Sequence, residues 1–132
     1  MRTPKYKAFY KPHNYIYHVT DMNFEGPDYT LREVKLSNGI WVRSDKLDDI
    51  ILIEQTPYTD KNGKEIYEGE ILYNNDRKEH CIVKYSKEKA MFIVKYLESN
   101  DKFPLWESIS NLYYSVGNLY ENPELLENKL SD

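Results

Sequence analysis

Apolar and polar residues alternate along this chain over short runs, and turn-forming residues interrupt the runs every few positions. That two-residue period is the signature of strands with one face buried. Residues 5–9, KYKAF, begin the pattern, with Tyr6, Ala8 and Tyr10 on one side and Phe9 on the other. Pro12, His13 and Asn14 punctuate it and residues 15–20 resume it, which predicts a hairpin with a short loop. Residues 21–28 hold Gly26 and Pro27 and predict an irregular connection to a strand over 29–36. Ser37-Asn38-Gly39 then separates that strand from an apolar run at 40–43. Asn-Gly between two such runs is a hairpin signal, because both residues tolerate positive φ. Residues 45–49, DKLDD, predict a bend or short helical turn. Residues 50–53, IILI, predict a strand buried on both faces, ended by Pro57.

The densest local information lies at residues 58–72, YTDKNGKEIYEGEIL. Asp60-Lys61-Asn62-Gly63 predicts a tight turn, and Ile66 and Tyr67 an apolar pair facing the core. Gly69 predicts a bend where backbones approach closely, before a strand at 70–73. After a charged turn at 74–79, residues 80–86 and 91–98 read as two strands. The second is apolar in both registers and so is expected in the middle of a sheet or in a covered barrel wall. Residues 103–105 predict a brief pairing, 106–111 a short helix and 113–117 a strand. Asn122-Pro123-Glu124 reads as a helix start, with asparagine as cap, and the helix is expected to run to about Lys129. A seam near residues 55–57 would divide an N-terminal β portion from a C-terminal one, within a single domain over 1–132.

Composition sharpens this picture. The chain has 132 residues, enough to bury a core without a metal or disulfide. Thirteen tyrosines, four phenylalanines and two tryptophans offset a modest 40% hydrophobic content and favour half-buried strands. A formal net charge of −4 argues against sequence-independent phosphate binding. Cys81 is the single cysteine, which excludes a disulfide framework or a cysteine metal cluster. No apolar run has signal-peptide or membrane-spanning length, so the expectation is a cytoplasmic protein with no membrane partner.

Candidate chemistry is sparse. Asp60-Lys61-Asn62-Gly63 invites a calcium-loop reading, but glycine falls fourth rather than sixth and Lys64 takes a ligand position. Glu65, Glu68 and Glu70 offer carboxylates, and in a continuous strand Glu68 and Glu70 share a face. Without a neighbouring His, Ser or Cys, they read as a charged strand edge that resists edge pairing. His13, His18 and His80 lack metal spacing. His80 and Cys81 point to opposite faces of a strand, and Cys81 reads as a small core residue beside Val83 and Tyr85. Tyrosine and lysine interleave at Lys5-Tyr6-Lys7, Lys84-Tyr85 and Lys95-Tyr96. A basic groove with stacked aromatics would bind single strands. Ordinary cross-strand Tyr–Lys packing explains the same pattern, and the acidic total favours it.

Three blocks carry a family resemblance. They are KYKAFYKPHNYIYHV at 5–19, DKNGKEIYEGEIL at 60–72 and VGNLYENPELLE at 116–127. Together they resemble the YopX family of small phage and prophage proteins. The family's Trp-Asp after the alanine is here Phe9-Tyr10, and its Gly-Asp-Ile is Gly69-Glu70-Ile71. Its Tyr-Thr-Gly ahead of the signature is Thr56-Pro57-Tyr58-Thr59, which alters the entry to the turn. The resemblance implies a mainly β protein with a short C-terminal helix, encoded by a phage or prophage. It carries over no catalytic, cofactor, metal or ligand residue.

The expected fold is therefore mainly β: a small, partly open barrel or two packed antiparallel sheets with a short C-terminal helix. The expected function is a non-enzymatic accessory protein that contacts a host or phage protein, or a second copy of itself, and needs no cofactor. The alternative is a nucleic-acid-binding module in phage replication or regulation.

Overall fold

A computed structural model describes residues 5–126. The chain divides into two compact units that meet between Glu54 and Gln55. All strand pairing is antiparallel, and neither sheet closes on itself into a barrel. Two antiparallel sheets with little helix are thus the architecture that the alternation pattern produces.

The first unit is built from β1 (Tyr6–Tyr10), β2 (Tyr15–Glu25), β3 (Thr30–Leu36), β4 (Trp41–Arg43) and the opening half of β5 (Ile50–Thr59). Their order across the sheet is β4-β3-β2-β1-β5. Ala8, Val34, Leu36, Val42 and Ile50 form its core. A single 3-10 turn at Lys11–His13, closed by Asn14 at φ 51°, joins β1 to β2. β2 continues through residues 21–25, where an irregular connection was expected. It does so by bulging between Val19 and Asp21 and again between Asn23 and Phe24, so Gly26 and Pro27 occupy only the turn itself. The β3–β4 hairpin forms at Asn38-Gly39, but only Gly39 takes positive φ, at 93°. Gly39 N–H donates to Leu36 O at 2.9 Å and Leu36 N–H to Ile40 O at 2.8 Å. That is a right-handed turn followed by a left-handed glycine, so asparagine needs no positive φ. Asn38 instead accepts the Ile40 N–H on its side chain at 3.1 Å. Residues 44–49 form a 3-10 turn.

β5 departs from expectation twice. Ile50 and Ile53, three residues apart and so on opposite faces, are both buried, as expected of a strand covered on both sides, but Ile51 is 36% exposed and the cover is incomplete there. Nor does Pro57 end it. The register slips between Gln55 and Thr59, and the proline sits in that slip, where no ladder bond needs its missing N–H. Thr56 Oγ1 accepts the Tyr58 N–H at 3.2 Å across it.

The second unit contains the rest of β5, β6 (Glu65–Tyr67), β7 (Glu70–Asn74), β8 (Glu79–Ser86), β9 (Met91–Tyr96), β10 (Lys102–Pro104), the helix α1 (Glu107–Ser110) and β11 (Tyr114–Asn118). A five-stranded sheet has the order β10-β9-β8-β7-β11. Its core gathers Ile66, Leu72, Cys81, Val83, Val94, Leu105 and Tyr113, with Tyr58 and Phe92 packed against it. β9 lies inside the sheet, yet only Val94 is fully buried and its other residues are half-buried. Gly69 takes φ +88°, and a Cβ there would meet Tyr120 Cε2 at 2.7 Å. Its N–H donates to Val83 O at 2.7 Å and its carbonyl accepts the Leu119 N–H at 2.9 Å, so three segments converge on one bare Cα. Helix begins at residues 124–126, while the expected remainder to Lys129 lies outside the described residues. Asn122 does not cap it with its side chain; its Oδ1 instead accepts the Asn118 N–H at 3.1 Å.

Candidate functional site

The turn at Asp60–Gly63 forms as expected, with Gly63 at φ 82° and its N–H donating to Asp60 O at 2.9 Å. The burial of Asp60, only 5% exposed, was not foreseen. Its Oδ1 accepts the N–H groups of Asn62 and Lys64, both at 2.9 Å. Its Oδ2 accepts the Ser115 N–H at 3.0 Å, across 55 residues of chain. A carboxylate whose oxygens are both engaged by backbone donors ties its turn to β11. Lys61 N–H adds a bond to Tyr113 O at 2.9 Å.

The three glutamates are not one charged edge. Left-handed Gly69 interrupts the strand between Glu68 and Glu70, so the two do not alternate along a single face. Glu70 is only 6% exposed, and Glu65 and Glu68 are half-buried. Glu65 accepts a hydrogen bond from the Tyr67 hydroxyl at 3.4 Å. Partial burial pushes the Tyr120 phenol up, and the charge of Glu68 adds to it.

Two of the histidines make local contacts within their own units. His13 Nδ1 lies 2.8 Å from the Tyr17 hydroxyl, and His80 Nδ1 lies 3.1 Å from Glu98 Oε1. His18 is exposed on β2. Among the described residues no group of three or more His, Cys, Asp or Glu side chains could hold a metal. Cys81 is fully buried, and desolvation, with Glu98 and Glu79 adding to it, pushes its thiol up to about 12. It is a core residue beside Val83, as its alternation suggested, whereas Tyr85 on the same face is 41% exposed.

Strand register also separates the interleaved tyrosines and lysines. Tyr85 pairs with Phe92 and Cys81 with Tyr96, which puts both tyrosines on the face of Cys81 and Val83. Lys84 and Lys95 fall on the opposite face, opposite Ile93 and Ile82 respectively.

The site that emerges is a cleft of about 470 Å³ in the second unit. Its lining includes Arg77, Glu79, Tyr96, Asp101, Phe103 and Trp106. Four segments place these residues. Asn74 Oδ1 accepts the N–H groups of Asp76 and Arg77, at 2.9 and 3.2 Å, and shapes the turn that presents Arg77 ahead of Glu79. The loop after β9 reverses at Asn100, φ 65°, and Tyr96 N–H donates to Asp101 O at 2.8 Å. β10 then pairs back, with Phe103 opposite Val94. Leu105, 2% exposed, anchors the next turn through its N–H to Phe92 O at 3.0 Å. On either side of Leu105, Phe103 and Trp106 remain open to solvent, at 49% and 58% exposed.

Beside the cleft lies a polar network. The Tyr113 hydroxyl donates to Glu79 Oε2 at 3.0 Å and lies 3.2 Å from the Tyr96 hydroxyl. Burial, then the hydrogen bonds with Tyr96 and Glu79, raise the Tyr113 phenol far above its ordinary range. Burial also raises Tyr96, partly offset by its hydrogen bond with Tyr113. Both phenols hold their protons at neutral pH. The lining brings three aromatic rings, two carboxylates and one guanidinium to a single cavity. Sequence reasoning missed it because its residues come from separate turns. The signal that was available is the pair Phe103 and Trp106, two aromatics flanking Pro104-Leu105.

The geometry defines a two-unit antiparallel β protein with an aromatic cleft. The family model described as YopX protein matches residues 5–127, and the chain belongs to that family. Solved structures that share its fold include EF1440 and yopX. Protein EF1440 from Enterococcus faecalis is 24% identical with a TM-score of 0.66, and the match covers 96% of this chain and 99% of that one. Protein yopX from Bacillus subtilis is 19% identical with a TM-score of 0.62, covering 95% and 98%. No curated protein matches the sequence. Among the described residues, no helix is long and apolar enough to cross a membrane.

Proposed function

We propose that the protein is a non-enzymatic interaction module, encoded by a phage or prophage and acting in the bacterial cytoplasm. In this reading it engages a partner protein through the cleft of its second unit. The observation that carries it is the exposure of Trp106 and Phe103, which line the same cavity. Large aromatic surface left in water is a standing cost, and tryptophan and tyrosine dominate the binding energy of protein interfaces. The YopX resemblance supports the phage setting. Separation of the Tyr–Lys pairs onto opposite faces counts against a nucleic-acid groove built from them.

Affinity capture from a lysogenic or phage-infected lysate tests this reading, with Trp106→Ala run beside the wild type. A partner enriched by the wild type and lost with Trp106→Ala is the expected result. Equal recovery by both proteins, or nothing enriched, overturns it. Light scattering on the same pair identifies a second copy as the partner if Trp106→Ala dissociates an oligomer. Retention of an oligonucleotide that falls steeply with added salt would instead establish the nucleic-acid alternative.

A further inference from the structure

We infer that the cleft receives a basic side chain, foremost an arginine, presented by the partner protein; this rests on the interaction reading above. Two of its rings, Tyr96 and Phe103, meet nearly edge to face, with centroids 5.7 Å apart and planes at 76°. Trp106, at the start of α1, supplies a third ring to the lining. In an edge-to-face pair the edge of one ring meets a face of the other and leaves further ring faces open, and a guanidinium both stacks on and is attracted to such faces.

Charge points the same way. Glu79 and Asp101 line the cleft against one guanidinium, Arg77. Tyr113 engages Glu79 through Oε2 alone. The Asp101 backbone is bonded to Tyr96 and Ser99, while its exposed carboxylate is held by no ion pair or hydrogen bond among the described residues. An anionic guest would meet two carboxylates and three aromatic rings, with only Arg77 to attract it. A basic guest meets one repulsive group and five favourable ones, and its aliphatic stem suits Pro104 and Ile109. A free cation would leave the apolar rim wet. Phe103 and Trp106 are both about half exposed or more, which calls for a protein segment around the basic residue.

The chain has two tryptophans, so Trp41→Phe leaves Trp106 as the sole indole reporter. In that background, Trp106 fluorescence is titrated with three capped tripeptides, Gly-Arg-Gly, Gly-Glu-Gly and Gly-norleucine-Gly. The expected result is a saturable change with the arginine peptide alone. Asp101→Asn should weaken it about two- to fivefold and added salt should weaken it further, while Asp28→Asn in the first unit has no effect. Asp101→Lys serves as a second variant and should abolish the change. Saturation by the glutamate peptide, lost with Arg77→Gln, overturns the cationic assignment but leaves the cleft a docking site. No response to any peptide, or equal response to arginine and norleucine, also overturns it. The interaction reading itself is decided separately by the capture experiment, and falls if Trp106→Ala recovers the partner as well as the wild type or if nothing is enriched.

Discussion

Replacing Asp60 tests the tie between its turn and β11. Asp60 is 5% exposed and accepts three backbone N–H groups, two within its own turn and one from Ser115. Asn62 and Lys64 are exposed, so their N–H groups return to water when the carboxylate is removed, whereas Ser115 is half-buried. At about 1 kcal/mol for each bond lost, and somewhat more at Ser115, Asp60→Ala should cost about 3–4 kcal/mol. Asp60→Asn keeps one oxygen for the turn and sets an amide N–H₂ against the Ser115 N–H, for a cost of about 1–2 kcal/mol. Urea unfolding of the three proteins at neutral pH, followed by circular dichroism, should give midpoints in the order wild type, Asn, Ala. Hydrogen exchange at the Ser115 amide should accelerate in both variants. An Ala variant within about 0.5 kcal/mol of wild type, the scale of an ordinary surface substitution, would refute the reasoning, as would an Asn variant less stable than Ala.

Two glycines should differ in their tolerance. A Cβ at Gly63 meets no atom within 4 Å, and Gly63→Val should cost about 1–2 kcal/mol, chiefly for backbone strain. Gly69→Ala adds a Cβ 2.7 Å from Tyr120 to a similar strain, and thermal melts should show it as the more damaging change. Cys81 should resist a thiol reagent at mildly alkaline pH and react fully in denaturant; native labelling at the rate of a free thiol would count against its burial. Partial burial pushes the Glu98 carboxyl up, but its hydrogen bonds from His80 outweigh this and hold it below its ordinary range. Its stabilisation is therefore present above the unfolded carboxylate pKa and disappears as pH falls through the lower folded value. The stability gap between wild type and Glu98→Gln should accordingly narrow on acidification, and a gap that widens would be the wrong sign.

Local signals in the sequence translated well into local structure. Asn38-Gly39 and Asn62-Gly63 each make a turn ending in a left-handed glycine, and both turn residues and strand period are readable within a few positions. The misreadings come from residues whose meaning depends on a partner strand. Gly26 and Pro27 suggested a long loop because the bulges that keep β2 paired leave no mark of their own. Pro57 suggested a strand end because the register slip that accommodates it involves β6. The buried carboxylate of Asp60 was illegible for the same reason, since its third donor is 55 residues away. The cleft was hardest to see, because Arg77, Tyr96, Asp101 and Trp106 come together only when β8, β9 and β10 lie side by side.

The bond between Asp60 and Ser115 also bears on the order in which the protein is made. Every strand pairing within the first unit is complete once residue 54 has been synthesised. The second unit must wait for β11, which pairs with β7, and for the Ser115 amide that receives Asp60. At about 5–20 residues per second, the roughly 60 residues in between take about 3–12 s to emerge from a ribosome. During that interval Asp60 has its turn but not its third donor, and β7 has no neighbour on the side that β11 will fill. Translation speed across this segment therefore sets how long an open sheet edge is displayed to the cell.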